Sequence, residues 1–255
     1  DFHKWDRNKT NWENLTHLNP KANNLGENAR SIRMLSSNES TGVIKYDHET
    51  GSKAGLDILN PSKFILSVGL HSLYQINRSF ISDISIFINM EEKLRRKLKI
   101  RRDTLMRGHS EPEVLNSIKK REQDSSNYIF PQKNQADIII NIRTIDEKEN
   151  SNLEELLNNL SFEVITKIPS DFEFLKKITN GINTISLEVE EEIEYQKIIF
   201  SGSISSNDLL FLISHYKDLE LNFSSNIVTS EDKNIWYFLT LICLLNLRFV
   251  REGAF

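Results

Sequence analysis

Seven residues at the start of the chain, "DFHKWDR", put an Asp, a His, a second Asp and an Arg within reach of one another, with two aromatics between them. Carboxylate, imidazole and guanidinium together suit proton transfer and the binding of hydroxyl and phosphate groups. A second such group is "KIRRDTLMRGH" (99 to 109). On a helix Arg102 and Asp103 fall about one turn from Arg107, and planar guanidinium groups pair with phosphate oxygens in bidentate fashion. Gly108 is placed to end that helix. A third candidate is His71 in "SVGLHSLY", where Gly69 lets the backbone turn at the carboxyl end of an apolar run. The bland counterparts are a solvated basic helix paired with Glu91 and Glu92, and a tight turn carrying a surface histidine.

These residues need elements to carry them. The runs "KFILSVGL" (63 to 70), "DISIFINM" (83 to 90) and "ADIIINI" (136 to 142) read as buried parallel strands. Between them the spacing predicts helices over 91 to 108, strongly basic, and over 111 to 121. A short helix is expected over 25 to 35, and loops over 17 to 25 and 46 to 55. Beyond residue 146 the character changes. After a charged linker at 145 to 152 come helices near 153 to 160, 170 to 179 and 206 to 217, with strands near 162 to 168, 183 to 190 and 197 to 202. A final helix starts near Ser230 with Thr229 as its cap. The fold class is α/β, with a mostly parallel sheet and a helical lid at about 91 to 122. Residues 1 to 145 form one domain, and 146 to 255 a smaller α+β region.

Composition narrows the function classes. At 255 residues, with 38% hydrophobic and 27% charged residues, the chain has the makeup of a globular protein. A net charge of −4 supplies no global attraction to nucleic acid or to a membrane surface. The apolar stretch from Trp236 to Val250 is short for a membrane span and contains Asn246 and Arg248, so it reads as a buried helix. One cysteine, Cys243, excludes an internal disulfide and fits a reducing, cytoplasmic setting. The six histidines match no compact metal motif, and no residue is assigned as a metal ligand.

Taken in order, "DFHKWDR", "NPKANNL", "IKYDHETG", "PSKFILSVGLH", "DISIFINMEEKLRRKLKIRRD" and "RRDTLMRGHS" resemble segments of the phosphoribulokinase/uridine kinase family, a group of P-loop kinases. The resemblance covers about residues 1 to 145. It implies ATP and magnesium as cofactors and a sugar, sugar phosphate or nucleoside as the small-molecule acceptor. Nucleic acid and membrane are not expected as partners, and homo-oligomerisation stays open. By the same resemblance Asp1 and Asp103 are the catalytic candidates, His3, Arg7 and His71 bind the acceptor, and Arg102 and Arg107 act on the phosphates from the lid. Asp1 matches the neighbour of the family's base rather than the base itself.

Two features depart from the family pattern. The phosphate-binding G-x-x-x-x-G-K-[ST] is not found, and "TGSKAG" (50 to 55) has the wrong spacing. The expectation is therefore a fragment whose P-loop lies upstream of Asp1 and which turns over no ATP by itself. Val68 stands where phosphoribulokinases carry Glu, and a valine cannot ligate a hard cation. The alternative reading is a catalytically inactive relative that binds a ligand or partner in the same crevice. Thr16 and His17 resemble the uridine-kinase-like proteins of bacteria, so ribulose 5-phosphate is not assigned as the acceptor.

Overall fold

The two apolar runs at 83 to 90 and 136 to 142 become neighbouring parallel strands, β3 (Ile86–Met90) and β4 (Ile138–Thr144). The computed structural model describes residues 2–7, 9–13, 15–47, 50–74, 82–145, 151–215 and 234–251. Within these, β3 and β4 open a five-stranded sheet in the order β3-β4-β5-β7-β6, with β5 (Leu160–Thr166), β6 (Ile185–Glu191) and β7 (Gln196–Gly202). The α/β expectation holds. The parallel ladder joins two of the strands expected to be parallel, and the strands beyond residue 146 add to the same sheet in antiparallel fashion.

The chain divides into two compact units. One comprises residues 83–98 with 136–255 and holds the sheet. Alternation along β4 and β5 sends Ile138, Ile140, Ile142, Phe162 and Val164 to one face. There they are buried with α5 (Phe172–Thr179), α6 (Ser206–Ser214) and α7 (Asn234–Arg251) through Phe172, Leu175, Leu209, Phe238 and Ile242. Phe162 stacks on Phe200 at 5.0 Å, and Phe238 meets Phe200 edge-on at the same distance. α4 (Leu153–Asn158) is closed at its start by a capping box between Asn152 and Glu155.

α7 is the buried helix expected of the apolar C-terminal stretch. Its Asn246 is fully buried, and both polar atoms of its side chain are hydrogen-bonded. Thr166 and Ser170 each donate to Asn246 Oδ1 at 2.7 Å, and its amide donates to the Ile242 carbonyl. Among the described residues no helix is long and apolar enough to cross a membrane. Thr229 and Ser230, the expected cap and start of this helix, lie outside the described residues.

The other unit comprises residues 1–82 with 99–135. It contains α1 (Leu25–Ser36), a hairpin of β1 (Thr41–Asp47) and β2 (Ser52–Leu59), the C-terminal turns of α2 (Glu92–Leu105), and α3 (Glu111–Asp124). The hairpin occupies much of the stretch expected as loop. Its outer strand is almost wholly exposed, so the alternation that marks a half-buried strand never develops.

Residues 63 to 70 correct the sequence reading. No described strand pairs with them, and Leu66 and Val68 are 87% and 83% exposed. Apolar composition states what a segment would do in a sheet, and a strand exists only where a ladder partner completes it.

Candidate anion and acceptor site

α2 and α3 build the charged part of the site. Lys99, Asp103 and Arg107 recur at helical spacing, so Lys99 and Arg107 reach the same carboxylate from opposite sides. Asp103 is only 4% exposed. It accepts from Arg102 Nε at 2.8 Å, from Arg107 at 3.2 Å, and from the Lys99 ammonium. Burial alone would raise its pKa, but the hydrogen bonds from Arg102 and Lys99 outweigh burial and bring it down to about 2.

Gly108 ends the segment with φ +70, the left-handed cap expected of it. The next helix, α3, starts at a capping box in which Ser110 pairs with Glu113. α3 carries Arg121. Burial lowers its pKa, the Asp103 charge opposes that, and the charges of Arg102 and Arg107 add to the lowering. A guanidinium remains charged under such a shift. Four cations thus act around one carboxylate, and the excess positive charge, partly withdrawn from water, suits a phosphate.

The histidine-rich half of the candidate site is built from the first 74 residues. His3 sits in an antiparallel bridge opposite Asn23, with its ring 4.6 Å from His17 and edge-on to Trp12 at 5.6 Å and Tyr46 at 5.7 Å. His17 packs on Trp12 at 3.9 Å. Burial, then the charges of His3, Arg121, Arg7 and Lys99, push its pKa down to about 3, so it is neutral near pH 7. The Arg121 and Lys99 contributions tie the histidine cluster electrostatically to the cations of α2 and α3.

Arg7 is held from the hairpin turn. Its N–H donates to the Gly51 carbonyl at 2.7 Å, and Tyr46 Oη donates to that same oxygen at 2.9 Å. Thr16 and Asn19 pin the intervening loop to the end of α3, donating to the two oxygens of Asp124 at 2.7 and 3.3 Å.

The structure brings His3, Arg7, Arg102, Asp103 and Arg107 into the same unit, and His71 with them. The turn at Gly69 forms, but His71 is buried at 7% exposure rather than lying on the surface. Gln132 clamps this turn, accepting from Leu73 N–H and donating to the Leu70 carbonyl. Burial lowers the pKa of His71, opposed by a hydrogen bond with the His17 backbone. Asp1 lies outside the described residues.

Lys99, Arg121, Tyr46 and Asn23 were not singled out from the sequence, and His17 was named there without a place in the site. Lys99 was legible, four residues before Asp103 on the same helical face. The others depend on contacts between distant segments. Among the described residues no three His, Cys, Asp or Glu side chains gather as a metal seat, and Asp103 is committed to cations. The cation cluster fits nucleotide or sugar phosphates, and a magnesium ion here would rely on those phosphates for its ligands.

An α/β sheet protein with a cation cluster around a buried carboxylate, coupled to a group of histidines, is the class that fold and site define. The model of the Phosphoribulokinase / Uridine kinase family matches residues 1–148, and the chain belongs to that family. It is 34% identical over 152 residues to the phosphoribulokinase of Synechocystis sp., covering 58% of this chain and 46% of that protein. With the chloroplastic phosphoribulokinase of Spinacia oleracea it shares 32% identity over 142 residues, 56% of this chain and 35% of that one. The chain therefore spans less than half the length of these relatives. The solved phosphoribulokinase from Rhodobacter spheroides matches with a TM-score of 0.61 at 17% identity, over 98% of this chain and 86% of that one. At that identity the likeness concerns the fold.

Proposed function

We propose that the protein is a kinase that transfers a phosphoryl group from ATP to a hydroxyl of a sugar phosphate. The observation that carries this reading is the buried Asp103 carboxylate holding Lys99, Arg102 and Arg107, with Arg121 acting on the same carboxylate from α3. ATP bound with magnesium supplies the transferable phosphoryl group. Lys99, Arg102, Arg107 and Arg121 neutralise phosphate charge, which is most of what phosphoryl transfer asks of a protein.

Asp103 with a pKa of about 2 is too weak a base to take a hydroxyl proton, and it serves to gather and aim the cations. That separates it from Asp1, expected beside the family's base. His3 and Arg7 bind the acceptor, Arg7 through its phosphate. Neutral His17 and buried His71 line the cluster without adding charge. A cytoplasmic location suits such a reaction and the single, half-buried thiol of Cys243.

The test is a coupled ATP assay of the full-length protein with magnesium and a panel of pentose phosphates, free pentoses and nucleosides. Turnover confined to phosphorylated acceptors is expected. Turnover on nucleosides alone, or on none of the panel, overturns the reading.

A further inference from the structure

Two segments far from α3 in the sequence are fastened to its C-terminal end, one on each side of a widened turn. α3 runs on into a π-helical turn over Ser125–Ile129 and then a 3-10 segment over Phe130–Gln135. π turns are rare and occur mostly at functional sites. Ahead of this one, Asp124 accepts from Thr16 and Asn19, so the residue next to His17 is tied to α3.

Behind it, Gln132 is 4% exposed, and both polar atoms of its side chain are hydrogen-bonded. Oε1 accepts from Leu73 N–H at 3.2 Å, and Nε2 donates at 2.8 Å to the carbonyls of Leu70 and Tyr128. The Leu70 carbonyl belongs to the planar peptide that joins Leu70 to His71, so Gln132 fixes the plane from which His71 departs. The Tyr128 carbonyl lies inside the π turn. One amide thus holds the π turn and the His71 turn together.

The same helix end carries charge. Arg121 sits about one turn before Asp124 on α3. It is buried, Asp103 attracts it, and Arg102 and Arg107 repel it. With Lys99 the cations of this cluster outnumber the charge of Asp103.

We propose that Gln132 is a positioning residue that passes occupancy of the cation cluster on to the His71 turn, so that nucleotide phosphates order the histidine side of the site. A polyphosphate relieves the repulsion on Arg121 and draws in the end of α3. The 70–73 turn follows through Gln132, and the loop at 16–19 follows through Asp124. This rests on the proposed function and adds a linkage to it. ATP phosphates tighten binding of the sugar phosphate, and by reciprocity the sugar phosphate tightens ATP by the same factor.

Inorganic tripolyphosphate tests the relay without any need for turnover. Calorimetry of the full-length protein reads its binding, and NMR follows the His71 ring. In the wild type the His71 signals are expected to move as tripolyphosphate saturates. Gln132→Met keeps the side-chain length and loses all three bonds. It should bind tripolyphosphate with nearly unchanged affinity while the His71 signals stay put. An unmoved His71 in the saturated wild type overturns the proposal, as does equal movement in Gln132→Met. If Gln132→Met does not fold, Gln132→Asn, which keeps the amide and shortens its reach, should weaken the response, and a full response overturns the relay.

Affinity for the pentose phosphate accepted in the coupled assay is then measured with and without a non-hydrolysable ATP analogue and magnesium. The analogue should tighten it about tenfold in the wild type and far less in Gln132→Met. Equal tightening in both proteins, or none in the wild type, overturns the linkage and leaves the kinase reading standing on its turnover. If neither tripolyphosphate nor the ATP analogue binds, the kinase reading falls together with the relay.

Discussion

Gly51, at the turn between β1 and β2, accepts the Arg7 N–H at 2.7 Å while adopting a φ of +71. A Cβ at Gly51 would lie 2.6 Å from the Arg7 Cβ and 2.7 Å from its Nε. The turn therefore serves Arg7 in two ways, through its carbonyl and through the space that glycine leaves. Gly51→Ala is expected to destabilise the protein by about 1–2 kcal/mol, from left-handed strain together with the clash. Urea unfolding checks the stability. A rise in KM for the sugar phosphate, without a matching loss in kcat, checks the displacement of Arg7.

Asp103 links the cation cluster to pH. Its pKa is about 2 in the fold against an ordinary value of 3.8, so the folded state binds this proton less readily than the unfolded chain. The resulting stability is fully present above about pH 4 and is lost as pH falls through 2. It amounts to about 2 kcal/mol. Asp103→Asn should flatten that part of the acid-unfolding curve. An unchanged acid limb would show that the cations do not hold the carboxylate in solution.

His17 shifts in the same direction for a different reason. Burial lowers it from 6.5 to about 3, so between those values the unfolded chain takes up a proton that the fold refuses. Stability therefore falls as pH drops from 6.5 toward 3, and His17→Gln should lessen the fall. In the folded protein the His17 ring signals are expected to stay constant from pH 8 to pH 5. A titration midpoint near 6 in that range would contradict the burial.

Asp124 ties the histidine loop to α3. Both of its oxygens are used, by Thr16 and by Asn19, across more than a hundred residues of chain. Asp124→Ala leaves two donors without their partner and should cost about 1–3 kcal/mol. The denaturation midpoint should drop with no change in the slope.

Arg121, like Lys99, is a cation that the sequence did not single out. Arg121→Met keeps much of the side-chain length on α3 and removes the charge. Phosphoryl transfer should fall by about 100-fold, with the folded stability nearly kept. A loss of stability with full activity per folded molecule would assign Arg121 to packing instead.

Much of the charged half of the site was legible because it is local. Arg102 and Asp103 lie in the last turn of α2, Arg107 in the turn that follows it, and Gly108 caps the segment. Helical spacing alone brings such side chains together, wherever the helix goes. For the same reason the ordered motifs from "DFHKWDR" to "RRDTLMRGHS" carried the family. The buried strands β3 and β4 were legible too, since each has a continuous apolar run and a partner to complete it.

What the sequence could not decide is whatever needs two distant segments to meet. The apolar run at 63 to 70 looks like β3 and β4, yet it forms no ladder, because pairing belongs to the partner as much as to the strand. The hairpin whose turn holds Arg7 was hidden by its exposure. The bond from Asn23 to His3 spans 20 residues and that from Thr16 to Asp124 spans 108, so neither leaves a periodic trace. The residue types in the chain specified which chemistry was available. Tertiary structure decided that His3 Nδ1 meets Asn23 Oδ1 and which cations share Asp103, because hydrogen-bond partners and local charge are set by neighbours in space.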